Sequence, residues 1–450
     1  MRFTVTHQAA ACLLAIATSS SAFAQTEAPK TAEVPPSDSL TGTPFSTPTS
    51  KPALNAAPVA PGTYDLAGIG RRDTTQEMIL TEPVSGVPIR FENGVFVFPA
   101  LLAGVGHNSN VQGINTGGLS SVLLTLQPRV VAELKKSGDR YTLAYNGNFT
   151  RYTSSSADNY NTHDLTLAGD NYFSARSRLG WSAGYVANAD PRGSTSRVAS
   201  AEPDRWHAPV LQALYVYGAN GAQGRVEVDA ALQAKRYDNN RTFTQASDVD
   251  IQSVSGRFFT RVMPKTTAVV ELRHIKSDYK LAAAPNDNGD TRLLLGVNWD
   301  AAAKTTGGFR VGHQSKNFSS ATLRDVSGGT FEGFLKWSPL TYSVVDLTTG
   351  RAAADSTGVG DYVMNTSTSL VWNHKWKSYL STRATLANIR ADYVGAGRTD
   401  STRNFGVGVF YEIGRNMRAG LEVANTRRSS NQSIYDFSRN TTFLSLEGTL

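Results

Sequence analysis

Beyond residue 92 the chain keeps returning to one pattern: an apolar side chain, then a polar or small one, then an apolar one again. That alternation limits the fold more than any other feature. Between Tyr141 and Phe149, the set Tyr141, Leu143, Tyr145 and Phe149 has one parity, and Thr142, Ala144, Asn146 and Asn148 have the other. Successive side chains of a strand point to opposite faces, whereas a helix would scatter either set around its circumference. The same reading holds for Val226, Val228, Ala230 and Leu232 against Arg225, Glu227, Asp229 and Gln233. It holds again for Leu293, Leu295, Val297 and Trp299, and for Phe405, Val407, Val409, Tyr411 and Ile413. About eighteen such segments follow one another to the end of the chain, with sixteen as the alternative count because some strands are weakly delimited.

The interruptions alternate as well. Tight ones fall at Ser137-Gly138-Asp139, Pro264-Lys265, Ser338-Pro339, Lys375–Lys377 and Gly414-Arg415. Longer, polar ones fall at 107–119, 190–206, 238–248, 281–289, 353–360, 393–399 and 429–435. Short turns at one end and long loops at the other are the mark of an outer-membrane barrel. In lipid every backbone polar group needs a partner, so the sheet has to close. After the first residues no apolar run is long enough for a membrane helix. Charged residues make up 18% of the chain, against roughly 25% in soluble domains. The expected fold class is therefore all-β, a transmembrane antiparallel β-barrel in the outer membrane. Two groups of aromatics read as its interfacial girdles. One is Tyr145, Phe149, Tyr152, Tyr172, Phe173, Trp181 and Tyr185, and the other is Trp299, Trp337, Trp372 and Trp376.

The barrel segment is expected to span 93–450. Ahead of it, Arg2, the apolar stretch Ala9–Ala17 and Ala22-Phe23-Ala24 read as a signal peptide over 1–24. Its Cys12 is the one cysteine of the chain, so cysteine nucleophiles and Cys₄ metal sites are excluded. Residues 25–63, rich in Pro, Thr, Ser and Ala, are too polar to order themselves and read as a disordered periplasmic linker. Residues 64–92 read as a lead-in or a plug.

With one face assigned to lipid, the other lines the lumen. Eight arginines on that face are the candidate contacts for anions or acidic sugars: Arg129, Arg257, Arg261, Arg273, Arg292, Arg310, Arg383 and Arg418. Rings of Arg or Lys select anions in pores, and the formal charge of +7 has the same sign. Carboxylates share the face. Glu227 and Asp229 are placed to meet Arg257 or Arg261 on the next strand, and Glu271 lies two residues from Arg273. Mutual pairing is the competing expectation. Catalysis is not expected. The histidines His107, His163, His207, His274, His313 and His374 are dispersed without metal-ligand spacing, and the close pair His163-Asp164 has no Gly-x-Ser-x-Gly beside it. No cofactor or metal is expected, and nucleic acid is not an expected partner.

The start of the barrel carries a further string. Tyr64-Asp65-Leu66-Ala67-Gly68-Ile69 is followed by Phe91-Glu92-Asn93-Gly94-Val95-Phe96-Val97-Phe98-Pro99-Ala100-Leu101 and then by Asn108-Ser109-Asn110. This resembles the outer-membrane β-barrel porins associated with exopolysaccharide-biosynthesis operons. Ser338-Pro339 with Gly350-Arg351 and Asp355-Ser356 looks like a hairpin of the same family. Leu450 departs from the aromatic last residue common in such barrels. The resemblance covers 64–450 and implies a channel or scaffold for exopolysaccharide export. A general porin for small anionic solutes and a plugged surface barrel are the alternatives. Implied partners are outer-membrane lipids, an anionic polysaccharide or small anionic solutes, the barrel-assembly machinery and periplasmic export components.

Overall fold

A computed structural model describes residues 88–194, 197, 200–219, 222–282, 285–302, 304–356 and 360–449. The leader, the Pro-rich linker, residues 64–87 and Leu450 lie outside the described residues. The strands are β1 (Ile89–Arg90), β2 (Val95–Asn108), β3 (Ser121–Lys136), β4 (Asp139–Tyr152), β5 (Tyr160–Ser174) and β6 (Ser177–Asp190). They continue with β7 (Asp204–Tyr217), β8 (Gly224–Tyr237), β9 (Val249–Met263), β10 (Thr266–Tyr279), β11 (Asn288–Ala302) and β12 (Thr305–Phe318). The last are β13 (Val326–Leu340), β14 (Ser343–Asp355), β15 (Tyr362–Lys377), β16 (Leu380–Val394), β17 (Arg398–Ile413), β18 (Met417–Ser430) and β19 (Phe437–Thr449).

Each strand from β2 to β19 pairs antiparallel with the next, and β19 pairs with β2 from Thr449–Ala100 to Thr441–Asn108. The result is a closed barrel of eighteen strands, which removes the sixteen-strand alternative. Closure gives the strands backbone partners on both sides, the condition for crossing hydrocarbon. β19 leaves the first residues of β2 without a neighbour. There β1 folds back and pairs Ile89 with Val97 and Arg90 with Phe96. The reversal runs through Asn93-Gly94, where Gly94 has φ +83° and the Asn93 side chain accepts from the Val95 amide at 3.2 Å. The motif Phe91-Glu92-Asn93-Gly94 is thus a device for covering a strand edge.

The lipid-facing parity holds. Leu124, Leu211, Leu293 and Leu421 are each about half exposed along the outer wall, as are most large apolar residues of that face. A face this apolar would be unstable in water, since each such side chain carries roughly 1.5–3 kcal/mol of burial free energy. Exposed aromatics gather beside the short turns: Tyr172, Phe173, Tyr217, Trp337, Tyr342, Trp376 and Tyr379. Four expectations need correction. Tyr152 is buried and has lumen parity, two residues on from Thr150, so it is not part of a girdle. Ser338-Pro339 is not a turn but the site of a register shift between Trp337 and Leu340 within β13, where proline's missing amide costs no ladder bond. Likewise Lys375–Lys377 belongs to β15, and the tight turn follows it. The connection expected over 393–399 shrinks to three residues, because Tyr393, Val394 and Arg398 pair in strands.

Candidate functional site in the barrel lumen

Register decides which groups meet inside. On β8 and β9, Glu227 stands opposite Arg257, which also reaches Asp229 at 2.5 Å. On β10, Arg273 is fully buried against Glu271. Glu271 also takes Arg310 of β12 at 2.7 Å, and Glu332 of β13 takes Arg310 at 3.1 Å and Arg273 at 3.4 Å. These four residues bridge strands that are not neighbours in the sheet, so they tie the wall together across its inner surface. Arg292 binds Asp290 at 2.6 Å. Arg418 binds Glu447 at 2.5 Å, with Arg129 also close enough to Glu447 to interact. Arg383 faces Glu422. Of the eight candidate arginines, only Arg261 has no ion pair among the described residues, and it lies near the turn end of β9.

The lumen is therefore not a ring of free cations. Most of its arginines are matched to carboxylates, and the pairing expected between Arg257 and the acids of β8 is present. A buried pair of this kind adds little net stability, but removing one partner strands the other charge.

At the loop end the lumen carries polar aromatics that sequence reading did not single out. Trp206 of β7 and Tyr237 of β8 donate to the two carboxylate oxygens of Asp190, at 2.7 and 2.9 Å. Lys235 stacks on both rings, 4.2 Å from the Trp206 centroid and 4.5 Å from that of Tyr237. Arg398 stacks on Tyr393 and Tyr435, and Arg428 and Arg439 on Phe437. Parity would have placed Trp206 and Tyr237 in the lumen, two residues from Ala208 and Lys235. Their convergence on one aspartate is a property of the closed wall.

One side of the loop end is capped. Asn110 organises the connection 109–120: its side-chain oxygen accepts from Gly113 and Ile114, and its amide donates to Ile114 and Ser438 carbonyls. The connection drops Val111 into an apolar cluster with Leu102, Leu123, Tyr152, Tyr160 and Phe443. Its Gly113 (φ +62°) meets Gly193 (φ +75°) of the connection 191–203 backbone to backbone. A Cβ on Gly193 would lie 2.7 Å from the Gly113 carbonyl oxygen. Arg439 of β19 fastens the contact from below, donating to Asn110, Val111 and Arg192 carbonyls. Arg192 itself pairs with Asp158. The Asn108-Ser109-Asn110 string is thus the frame of a cap.

The turn end is different. Phe98 and Phe334 have lumen parity and remain 39% and 37% exposed. Lys336, two residues from Phe334, is exposed and without an ion pair among the described residues. The close pair His163-Asp164 does not come together. His163 points outward to Tyr145 (3.0 Å) while Asp164 has the opposite parity. Among the described residues no group of acids and histidines suits a metal ion.

An apolar outer wall, a polar inner one and a closed ladder define an outer-membrane β-barrel of the porin class. A family model described as "putative beta-barrel porin 2" matches residues 91–449, and the chain belongs to that family. No curated relative matches it. Similar solved structures include Pseudomonas aeruginosa OccK9 (OpdG), at 12% identity and TM-score 0.46 over 80% of this chain and 100% of that one. Acinetobacter baumannii OccAB3 matches at 10% identity and TM-score 0.45, over 79% and 99%. A bacterial polysaccharide outer membrane secretin matches at 11% and 0.35, over 78% and 98%. At these scores the likeness says nothing of cargo.

Proposed function

We propose that the barrel is a conduit for an acidic exopolysaccharide, which enters from the periplasmic end of the lumen. The observation that carries this is the pairing of exposed aromatic faces with free cations at that end. A sugar ring has an apolar C–H face and a polar rim, and an acidic sugar adds a carboxylate. Phe98 and Phe334 offer the apolar surface, and Arg261 and Lys336 the charge. Farther up, most lumen arginines among the described residues are matched to carboxylates, which keeps contacts with a polyanion weak and successive. Conduction needs binding that is easy to leave.

Small anionic solutes are the second reading, favoured by the same Arg261 and Lys336. Two measurements separate them. In planar bilayers, polygalacturonate added on the periplasmic side is expected to interrupt the current, and Phe334→Ala to shorten the interruptions. In cells, deleting the gene is expected to leave polymer inside the envelope. Undiminished surface polymer together with an uninterrupted current would leave the small-anion reading standing alone.

A further inference from the structure

Among the described residues the β13–β14 ladder stops short of the strand ends, as the β5–β6 ladder does above His163–Ala187. Between β13 and β14 the registered ladder runs from Leu340–Ser343 up to Phe331–Arg351 and stops. Above it, Val326–Thr330 of β13 pair only with β12, and Ala352–Asp355 of β14 pair only with β15. The upper end of β14 is drawn inward instead. Gln314, a lumen-facing residue of β12, accepts from the Ala353 amide at 2.8 Å and donates to its carbonyl at 3.1 Å. Its side chain thus stands in for a neighbouring strand. Asp355 accepts from Tyr279 of β10 at 2.9 Å, from Asn288 of β11 at 3.0 Å, and pairs with Lys316 of β12 at 2.5 Å. All three partners belong to strands on the far side of β13. The end of β14 therefore laps across the inner face of β13 rather than lying beside it.

The lap is made of small residues. Ser327, Gly328 and Gly329 lie in the unpaired end of β13 and Ala352, Ala353 and Ala354 in that of β14, and a Cβ on Gly328 or Gly329 would meet nothing within 4 Å. Two side-chain bonds bridge the joint where the ladder ends, Thr330 to the Arg351 carbonyl at 2.6 Å and Arg351 to the Gly329 carbonyl at 3.3 Å. At the rim Arg324, largely exposed, approaches Asp361 at 3.6 Å. The outer surface here is polar: His313 meets Ser327 at 3.1 Å on the outward parity. The outer face of the joint thus offers polar groups rather than a continuous apolar surface. An open strand edge is forbidden in hydrocarbon but tolerable where water and sugar hydroxyls can satisfy it.

We infer that the β13–β14 joint is a lateral exit, through which a hydrated saccharide chain leaves the lumen sideways into the sugar layer of the outer leaflet. This rests on the saccharide reading above. The joint lies on other strands than the packed loops 109–120 and 191–203 of the β2–β7 side. Opening requires β14 to shift back from Gln314 and Asp355's partners. That exchanges polar side-chain contacts for water or sugar hydroxyls and breaks no ladder rung.

The test locks the joint. Gly329→Cys with Ala353→Cys extends the observed register by two residues, and Thr366→Cys with Arg390→Cys serves as control across an intact ladder. Cys12 is the one native cysteine, so an introduced crosslink is read directly by gel shift. Efflux of polygalacturonate oligomers is measured from vesicles holding full-length barrel, reduced and then oxidised. A short bis-maleimide linker replaces the disulfide if the latter does not form. The expected result is loss of efflux to the level of barrel-free vesicles on locking, recovery on reducing the disulfide, and no change for the control pair. Gln314→Ala, which frees Ala353, is expected to raise efflux. Equal efflux from locked and unlocked barrels would overturn the exit while leaving the saccharide reading intact. No efflux from the unlocked barrel would remove both.

Discussion

The two sides of the extracellular mouth are built on opposite principles. Over β2–β7, loops are laid over the strand ends: 109–120 and 191–203 touch glycine to glycine and are held by Arg439 and Arg192. Around β13 and β14 the loops are shorter and the wall itself parts, with the strand end held by Gln314 and Asp355's partners. The capped side is closed by backbone packing and a buried apolar cluster, which cannot shift by small steps. The split side is closed by side-chain hydrogen bonds that water can replace one at a time. Local opening concentrates where few apolar contacts are buried. The difference places rigidity on one side of the mouth and adjustability on the other.

The comparison can be broken by substitution. The largest effect is expected below the joint. Arg273→Ala leaves the buried Glu271 and the half-buried Glu332 with Arg310 as their shared partner, at a cost of about 3–5 kcal/mol. It should lower markedly the temperature at which the folded gel band converts to the unfolded one. An unchanged conversion would mean that the network does not brace the β10–β13 wall.

Next comes the capped side. Arg439→Ala removes donors from three loop carbonyls, costing about 1–3 kcal/mol. Conductance should rise as the cap loosens. A conductance equal to that of the parent barrel would show that the cap does not narrow the path. Gly113→Ala should act in the same direction more weakly, through a left-handed φ of +62° and a 2.8 Å approach to the Arg192 carbonyl, with strain of about 1–3 kcal/mol.

The smallest stability effect belongs to Arg261→Ala, which should stay within about 0.5 kcal/mol because no pair is broken. Its readout is selectivity, as a fall in anion preference by reversal potential. Arg257→Ala should do the reverse, costing stability through the stranded Glu227 and Asp229 while changing selectivity less. If both shift selectivity equally, pairing does not silence Arg257.

Much of this architecture was legible in the chain because a strand's period is short and strict. Each segment of Tyr141–Phe149 type declares its two faces without help from the rest of the molecule, and Glu227 and Arg257 could be matched because adjacent strands are adjacent in sequence. Tyr152 was misplaced because its aromatic character was weighed above its parity. Ser338-Pro339 was misread because proline marks a bulge as readily as a turn. The parity of the candidate arginines could be read from the chain. That most of them are matched to carboxylates depends on partners one or two strands away and on the exact register between them.

By itself the sequence determined the two faces of the strands and the alternation of short and long connections, because both follow from local periodicity, and it left eighteen strands against sixteen for the closed ladder to decide. Only the tertiary structure decided that Asn110 frames a cap, that Trp206 and Tyr237 share Asp190, and that β14 leaves β13 for Gln314. Those outcomes depend on how a closed wall curves and staggers. Curvature brings together residues hundreds of positions apart, and no local pattern records it.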